Sequence, residues 1–159
     1  MSFAVDVDTY PDLVTDAHPA NGRRGVPLTP RERLATGARV GRRLLLVEDD
    51  ESMQEVLRAL LEAEGYEVIG AMDGEEALAH LRRGVAPSLI VLDLMLPGMD
   101  GFEFRALQRA NPAWAKIPVV VYSGMDRLAE RVRALEPSAW FEKPIDPESL
   151  LGAIGKYCS

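Results

Sequence analysis

The chain has 159 residues, a length that suits one domain with a tail, and its formal net charge is −7. It contains no apolar run of membrane-spanning length, its acidic start is unlike a signal peptide, and its one cysteine, Cys158, cannot form an internal disulfide. We therefore expect a cytoplasmic protein without a membrane segment.

Charge divides the chain into regions. Residues 1–20 carry four Asp and no basic residue, residues 21–43 carry seven Arg and one Glu, and the remainder carries 20 acidic and 11 basic residues. Such an acidic domain is not expected to bind nucleic acid, because attraction to phosphate requires a basic surface. Residues 1–42 also contain four Pro and show no sustained period. We predict a disordered or loosely packed extension over residues 1–42 and a folded domain over residues 43–159.

Regular patterning begins near residue 43 and alternates between strand and helix. In chain order, the predicted elements are a strand at 44–47, a helix from Met53 that ends at Gly65, a strand at 66–69, a helix from Asp73 to Gly84, a strand at 89–92, a helix at 102–110, a strand at 118–122, a helix at 126–136, a strand at 139–141 and a final helix capped by Asp146. Five strands alternating with five helices favour parallel pairing with right-handed crossovers. The sequence therefore predicts a doubly wound α/β fold.

In such a sheet the carboxyl ends of all strands lie at one edge, and open α/β sheets bind their ligands there. Polar residues end or follow four of the predicted strands, namely Glu48 and Asp49, Asp93, Ser123, and Lys143. We therefore expect these side chains to meet at one edge of the sheet.

Three carboxylates brought together repel one another unless a cation is present. Oxygen ligands with room for water suit Mg²⁺, so Glu48, Asp49 and Asp93 are candidate metal ligands. A carboxylate can attack phosphorus to form an acyl phosphate, and positive charge from the ion and from Lys143 would stabilise the transferring group. The hydroxyl of Ser123 can donate a hydrogen bond to a phosphoryl oxygen. Together these residues predict a site that makes and holds an aspartyl phosphate.

In order and spacing, four motifs resemble the receiver domain of two-component response regulators. The motifs are Val47-Glu48-Asp49-Asp50, Asp93 with Pro97-Gly98-Met99-Asp100-Gly101, Ser123-Gly124, and Lys143-Pro144. The resemblance covers residues 43–158. It implies a flavodoxin-like, five-stranded parallel sheet of order 2-1-3-4-5 with five helices, in a phosphoprotein of phosphorelay signal transduction.

The resemblance also implies a role for each matched residue. Asp93 would be the phosphoacceptor, with Lys143 and Ser123 completing the catalytic set. The implied Mg²⁺ ligands are Glu48, Asp49, Asp93 and the backbone carbonyl of Met95. Ser123 and Trp140 are the implied switch residues, and Trp140 stands where the family usually has Tyr or Phe.

On this basis we expect a signalling switch that catalyses its own phosphorylation and dephosphorylation, rather than an enzyme acting on a separate substrate. Its phosphoryl group would come from a histidine kinase or a histidine phosphotransfer protein. A downstream protein would bind the surface formed by helix 4, strand 5 and helix 5, and a homodimer through this domain is an open alternative. Because the chain ends after the fifth predicted helix, we expect a single-domain regulator.

Two other classes of protein remain for comparison. A receiver-like protein-binding module would keep the fold without being phosphorylated, and labelling with acetyl phosphate distinguishes it. A small enzyme or a flavin carrier on a similar sheet would need a Gly-rich phosphate loop after the first strand. This chain has Glu48-Asp49-Asp50-Glu51 at that position.

Overall fold

The structure, a computed structural model, describes residues 42–124 and 129–158. Its strands are β1 Arg43–Val47, β2 Glu67–Ala71, β3 Leu89–Asp93, β4 Val119–Ser123 and β5 Ala139–Glu142. Its helices are α1 Glu51–Ala63, α2 Gly74–Arg82, α3 Gly101–Ala110, α4 Ala129–Ala134 and α5 Pro147–Tyr157. The predicted extension, apart from Arg42, and the predicted start of the fourth helix at residue 126 lie outside the described residues.

The five strands form one parallel sheet in the order β2-β1-β3-β4-β5. A helix follows each of the first four strands, as crossovers between parallel strands require. The predicted doubly wound, flavodoxin-like fold with strand order 2-1-3-4-5 is confirmed. In this topology the winding reverses between β1 and β3, so the crevice that can hold a ligand lies beside the carboxyl ends of these strands.

Two apolar cores lie on the two faces of the sheet. Strand residues such as Leu46, Val91 and Tyr122 pack with α1 and α5 on one face. Their neighbours in sequence, such as Leu45 and Leu92, pack with α2, α3 and α4 on the other. Because both faces of the central strands are buried, these strands appear in the sequence as continuous apolar runs rather than alternating ones.

Four helices begin at an Asp whose side chain accepts the backbone N–H of the residue three positions on. These N-caps are Asp50, Asp73, Asp100 and Asp146. The cap of α3 is a full capping box, because Glu103 accepts the backbone N–H of Asp100 in return. Each cap satisfies a backbone donor and fixes where a loop at the carboxyl edge of the sheet becomes helix. Within the described ranges, no helix has the length and apolar content that crossing a bilayer demands.

Every predicted strand differs from the observed one by one or two residues at an end, and β2 and β4 start one residue later than predicted. β2 starts at Glu67 because the N–H of Tyr66 bonds back to Leu61 at the end of α1, and it continues to Ala71 because its pairing with β1 does. β4 starts at Val119 because Pro118 has no N–H for the ladder. Pro118 contributes only its carbonyl, which accepts the N–H of Ile90 at 3.0 Å.

The carboxyl end of α4 also differs, since the helix ends at Ala134 rather than at Glu136. Proline disfavours helical backbone in the residue before it, and Glu136, which precedes Pro137, has a left-handed φ of 48°. Two arginines of α3 bind the carbonyls at this end. Arg105 donates to the carbonyls of Leu135 and Glu136 at 3.0 Å each, and Arg109 donates to that of Ala134 at 3.1 Å. These bonds satisfy carbonyls left without helical partners and fasten α4 to α3.

Candidate functional site

The alternation of side chains along the strands brings three groups together at the carboxyl edge. The core under α1 and α5 contains residues 44 and 46 of β1, residues 89 and 91 of β3, and residue 120 of β4. Continuing the same alternation puts Glu48, Asp93 and Tyr122 on this side, because strand side chains alternate with a period of two. The register agrees, since Asp93 pairs directly with Tyr122 across β3 and β4.

Asp93 ends β3 and is only 2% exposed. The backbone N–H of Met95 donates to its Oδ1 at 3.1 Å, and the Nζ of Lys143 donates to its Oδ2 at 3.1 Å. Burial raises the pKa of Asp93 above its ordinary value, while the Met95 N–H and Lys143 act in the opposite direction because they stabilise the ionised form. Asp93 is thus a held, poorly solvated carboxylate, which is a suitable form for a nucleophile.

Glu48 follows β1 and is fully buried. Its Oε1 accepts the backbone N–H of Asp50 at 3.0 Å, while its Oε2 accepts both the hydroxyl of Tyr122 and the Nζ of Lys143, the latter at 3.1 Å. Three donors therefore hold this carboxylate, as a buried charge requires.

Asp49 is exposed beside these two carboxylates, and each of Glu48, Asp49 and Asp93 offers an oxygen within 4.8 Å of the others. Burial, followed by the hydrogen bond and charge of Glu48, raises the pKa of Asp49. When all three are ionised, the ammonium of Lys143 leaves two negative charges unbalanced. Oxygens on opposite sides of an octahedral Mg²⁺ lie about 4.2 Å apart, so the residues present fit a small divalent cation in both charge and span.

Lys143 follows β5 and reaches back across the site to both buried carboxylates. Its backbone N–H donates to the carbonyl of Ser123 at 2.9 Å, and its peptide bond to Pro144 is cis. Burial lowers the pKa of Lys143, but the hydrogen bonds and charges of Asp93 and Glu48 outweigh it and raise the pKa overall. The ammonium therefore stays charged at the point where a transferring phosphoryl group would gain negative charge.

The remaining predicted residues occupy different surroundings. Ser123 is buried at the end of β4, and its Oγ has no hydrogen-bond partner within the part of the chain that the structure describes. Met95 is 52% exposed and contacts Asp93 through its backbone N–H. Trp140 lies in β5 away from these carboxylate contacts and is 38% exposed.

Tyr122 is the contact residue that the sequence analysis missed. It is fully buried, its hydroxyl donates to Glu48, and the Nζ of Lys143 lies 4.7 Å from the centre of its ring. Burial, then the Glu48 hydrogen bond and the nearby carboxylates, raise the pKa of Tyr122, so the phenol remains a donor. The sequence could have indicated this contact, because Tyr122 directly precedes Ser123. Neighbouring side chains of a strand point to opposite faces, so Tyr122 lies on the opposite face of β4 from that serine.

The chain resembles known proteins over the region that carries this site. A family model described as the response regulator receiver domain matches residues 44–155. The response regulator PleD of Caulobacter vibrioides is 41% identical over 114 residues, which span 70% of this chain and 25% of PleD. PilG of Pseudomonas aeruginosa is 33% identical over 116 residues, which span 72% of this chain and 85% of PilG.

Solved structures share the fold. The chemotaxis response regulator CheY4 of Vibrio cholerae matches with a TM-score of 0.67 and 28% identity, covering 74% of this chain and 99% of CheY4. Since the chain spans only about a quarter of the length of PleD, the similarity to that protein concerns its matched region.

Proposed function

The chain belongs to the response regulator receiver domain family, and from this membership we propose that Asp93 accepts a phosphoryl group from a histidine kinase or a histidine phosphotransfer protein. The observation that carries the proposal is the position of the Asp93 carboxylate, 3.1 Å from the ammonium of Lys143 and beside the acidic pair Glu48 and Asp49. Phosphoryl transfer depends on positioning and on positive charge around the transferring group, and both are available here.

In the proposed step, a carboxylate oxygen of Asp93 attacks phosphorus while the phosphorus–nitrogen bond of a phosphohistidine breaks. The electron pair of the broken bond returns to the imidazole nitrogen of the donor. Lys143 is close enough to pair with the phosphoryl oxygens as charge develops on them. The hydroxyl of Ser123, which is buried without a partner in the described ranges, can donate to another of these oxygens.

Mg²⁺ would be held by Glu48, Asp49, Asp93 and the backbone carbonyl of Met95. When bound, it supplies positive charge against the phosphoryl oxygens. Glu48 is already fixed by three donors, so it meets the ion without reorganising. Asp49 is exposed and remains free to adjust its carboxylate.

The output would be a change at the surface formed by α4, β5 and α5. Ser123 ends β4, and its carbonyl is bonded to the Lys143 N–H, so a phosphoryl group between these two residues adds charge where β4 and β5 end. Trp140 in β5 is 38% exposed and offers apolar area to a partner. We propose that Ser123 and Trp140 act as the switch pair, and that the surface binds a downstream protein or a second copy of this chain.

The same proposal assigns the receiver domain to residues 43–159 and an N-terminal extension to residues 1–42. The chain would act as a signalling switch that catalyses its own phosphorylation. Its location would be the cytoplasm, because histidine kinases draw their phosphoryl group from ATP. The acidic charge of the domain argues against nucleic acid as a partner.

Labelling of the full chain with acetyl phosphate, with and without Mg²⁺, tests the proposal. We expect one Mg²⁺-dependent phosphoryl group per chain by intact mass, and its loss in Asp93→Asn. Asp50→Asn is the matched control, because Asn still caps α1 and the substitution removes an acidic residue next to the site. No labelling of the unmodified chain, or equal labelling of Asp93→Asn, would overturn the proposal in favour of a binding module that works without phosphorylation.

A further inference from the structure

Tyr122 contacts two charged groups of the site, Glu48 and Lys143. It forms part of the apolar core under α1 and α5, with no exposed surface. Above that core its hydroxyl donates to Glu48, and its ring face lies under the ammonium of Lys143. The ring accounts for the apolar packing of Tyr122, whereas its hydroxyl bonds to Glu48 and adds no apolar contact to the core.

The hydroxyl determines which part of the Glu48 carboxylate is available to a cation. A carboxylate oxygen has two lone pairs. Oε2 accepts two donors, the Tyr122 hydroxyl and the ammonium of Lys143, whereas Oε1 accepts one backbone donor, the Asp50 N–H. Oε1 is therefore the oxygen of Glu48 with fewer donors, and the donors on both oxygens fix the orientation of the carboxylate.

The ring supports the other charged group of the site. The Nζ of Lys143 lies 4.7 Å from the ring centre, within the range of a cation–π contact, and it is 3.1 Å from both Glu48 and Asp93. A four-carbon side chain is flexible, and the ring limits the positions that its ammonium can occupy. Tyr122 thus contacts both the candidate metal ligand and the lysine that faces the phosphoryl group.

We propose that Tyr122 is a positioning residue with two separable parts: its hydroxyl orients Glu48 for Mg²⁺, and its ring positions Lys143 for the phosphoryl group. The second part rests on the proposed function of Asp93, whereas the first depends only on metal binding.

Two substitutions separate these parts. Tyr122→Phe removes the hydroxyl and keeps the ring, and Tyr122→Met removes both while conserving apolar volume. Tyr66→Phe is the matched control, since Tyr66 is a buried tyrosine of the same core that lies just before β2, at the opposite edge of the sheet. The measurements are Mg²⁺ affinity by isothermal titration calorimetry without any phosphoryl donor, and the rate of acetyl phosphate labelling as a function of Mg²⁺ concentration.

For Tyr122→Phe we expect the dissociation constant of Mg²⁺ to rise by about tenfold, as for the loss of a hydrogen bond to a charged group. Its labelling rate at saturating Mg²⁺ should remain within about twofold of the unmodified chain, because the ring is retained. For Tyr122→Met the saturated rate should also fall, by about threefold or more. Tyr66→Phe should change neither quantity.

An unchanged Mg²⁺ affinity in Tyr122→Phe would overturn the role of the hydroxyl. Equal saturated rates in Tyr122→Phe and Tyr122→Met would overturn the role of the ring. If Tyr122→Met does not fold, Tyr122→Phe alone decides. A Tyr122→Phe variant that binds Mg²⁺ normally but labels more slowly at saturating Mg²⁺ would contradict the assignment of the hydroxyl to Glu48 and of the ring to Lys143. Failure of the unmodified chain to label would count against the function of Asp93 and would leave the calorimetric comparison valid.

Discussion

As the proposed phosphoacceptor, Asp93 must be ionised although protein surrounds it almost completely. Asp93 meets this requirement through two donors, the Met95 N–H and Lys143, against a burial effect that raises its pKa. The result is a carboxylate that is held in place yet less solvated than in water, and such a group is more nucleophilic than a free one.

Gly101 is where a single methyl group would disturb the loop after Asp93. A Cβ at this position would lie 2.5 Å from the carbonyl oxygen of Asp93 and 2.6 Å from the Cα of Leu94. Both are backbone atoms that cannot move aside without shifting the loop. We expect Gly101→Ala to lower the free energy of unfolding by about 2 kcal/mol, measured by urea denaturation, and to slow labelling of Asp93.

Gly152 supplies the matched control for that substitution. It lies in α5, and a Cβ there would meet nothing within 4 Å. Gly152→Ala should leave labelling unchanged and stabilise the domain by about 0.5–1 kcal/mol, because alanine favours helix more than glycine does. Equal effects of the two substitutions would contradict the role assigned to the close approach at Gly101.

Among the elements, α4 and α5 flank the proposed output surface and are fixed in different ways. The carboxyl end of α4 is held to α3 by Arg105 and Arg109, which bind its last carbonyls. α5 is instead fixed at its amino end, where Asp146 accepts both the N–H and the hydroxyl of Ser149, at 3.0 and 2.7 Å. A rearrangement of the output surface would therefore meet least resistance away from these two anchored ends.

The cap of α5 predicts a pH dependence of stability. The side-chain and backbone hydrogen bonds of Ser149 lower the pKa of Asp146 below its ordinary value of 3.8. A depressed carboxyl pKa contributes stability that is present above the unfolded value and is lost as pH falls through the folded value. Asp146→Asn still caps the helix but does not titrate.

We therefore expect the unmodified chain to be more stable than Asp146→Asn near neutral pH, with the difference shrinking and then disappearing as the pH falls below the ordinary carboxyl value of 3.8 and through the lowered pKa of the folded state. Thermal unfolding of both proteins across this pH range measures the difference. The contributions of the other titrating groups cancel, because both proteins contain them. A difference that is constant with pH would show that the charge of Asp146 contributes nothing.

For the whole molecule, the crowded carboxylates predict that Mg²⁺ stabilises the fold. Three separate segments of the chain supply Glu48, Asp93 and Lys143, so the site exists only when the domain is folded. At about ten times its dissociation constant the ion should add about 1.4 kcal/mol, equivalent to several degrees in Tm. Differential scanning calorimetry with and without Mg²⁺ measures this gain.

Asp49→Asn should reduce the Mg²⁺-dependent gain in Tm, because it removes one of three negative ligands. Glu55→Gln, which removes an exposed acid of α1 that is not among those ligands, serves as its control. A full gain in Asp49→Asn would mean that the ion stabilises the domain from elsewhere.

Much of this molecule could be predicted from local patterns in the sequence. Apolar runs such as Leu89–Leu92 indicated buried strands, helical spacing indicated the helices between them, and Asp73 and Asp146 indicated helix starts. These signals are reliable because strand period, helix period and N-capping depend on residues close together in sequence. Alternation of strands and helices then determined the doubly wound fold, and with it the edge of the sheet at which Asp49, Asp93 and Lys143 were expected to meet.

Only the tertiary structure decided which atoms of that edge touch. Strand register and helix packing determine three features of the site. These are the sharing of Glu48 Oε2 between Tyr122 and Lys143, the burial of the Ser123 Oγ, and the close approach of Gly101 to the backbone of Asp93. Register joins residues far apart in the chain, as between Asp93 and Tyr122, and no local pattern encodes it. The sequence by itself therefore determined the elements and the residue types of the site, and long-range packing determined the partner of each side chain.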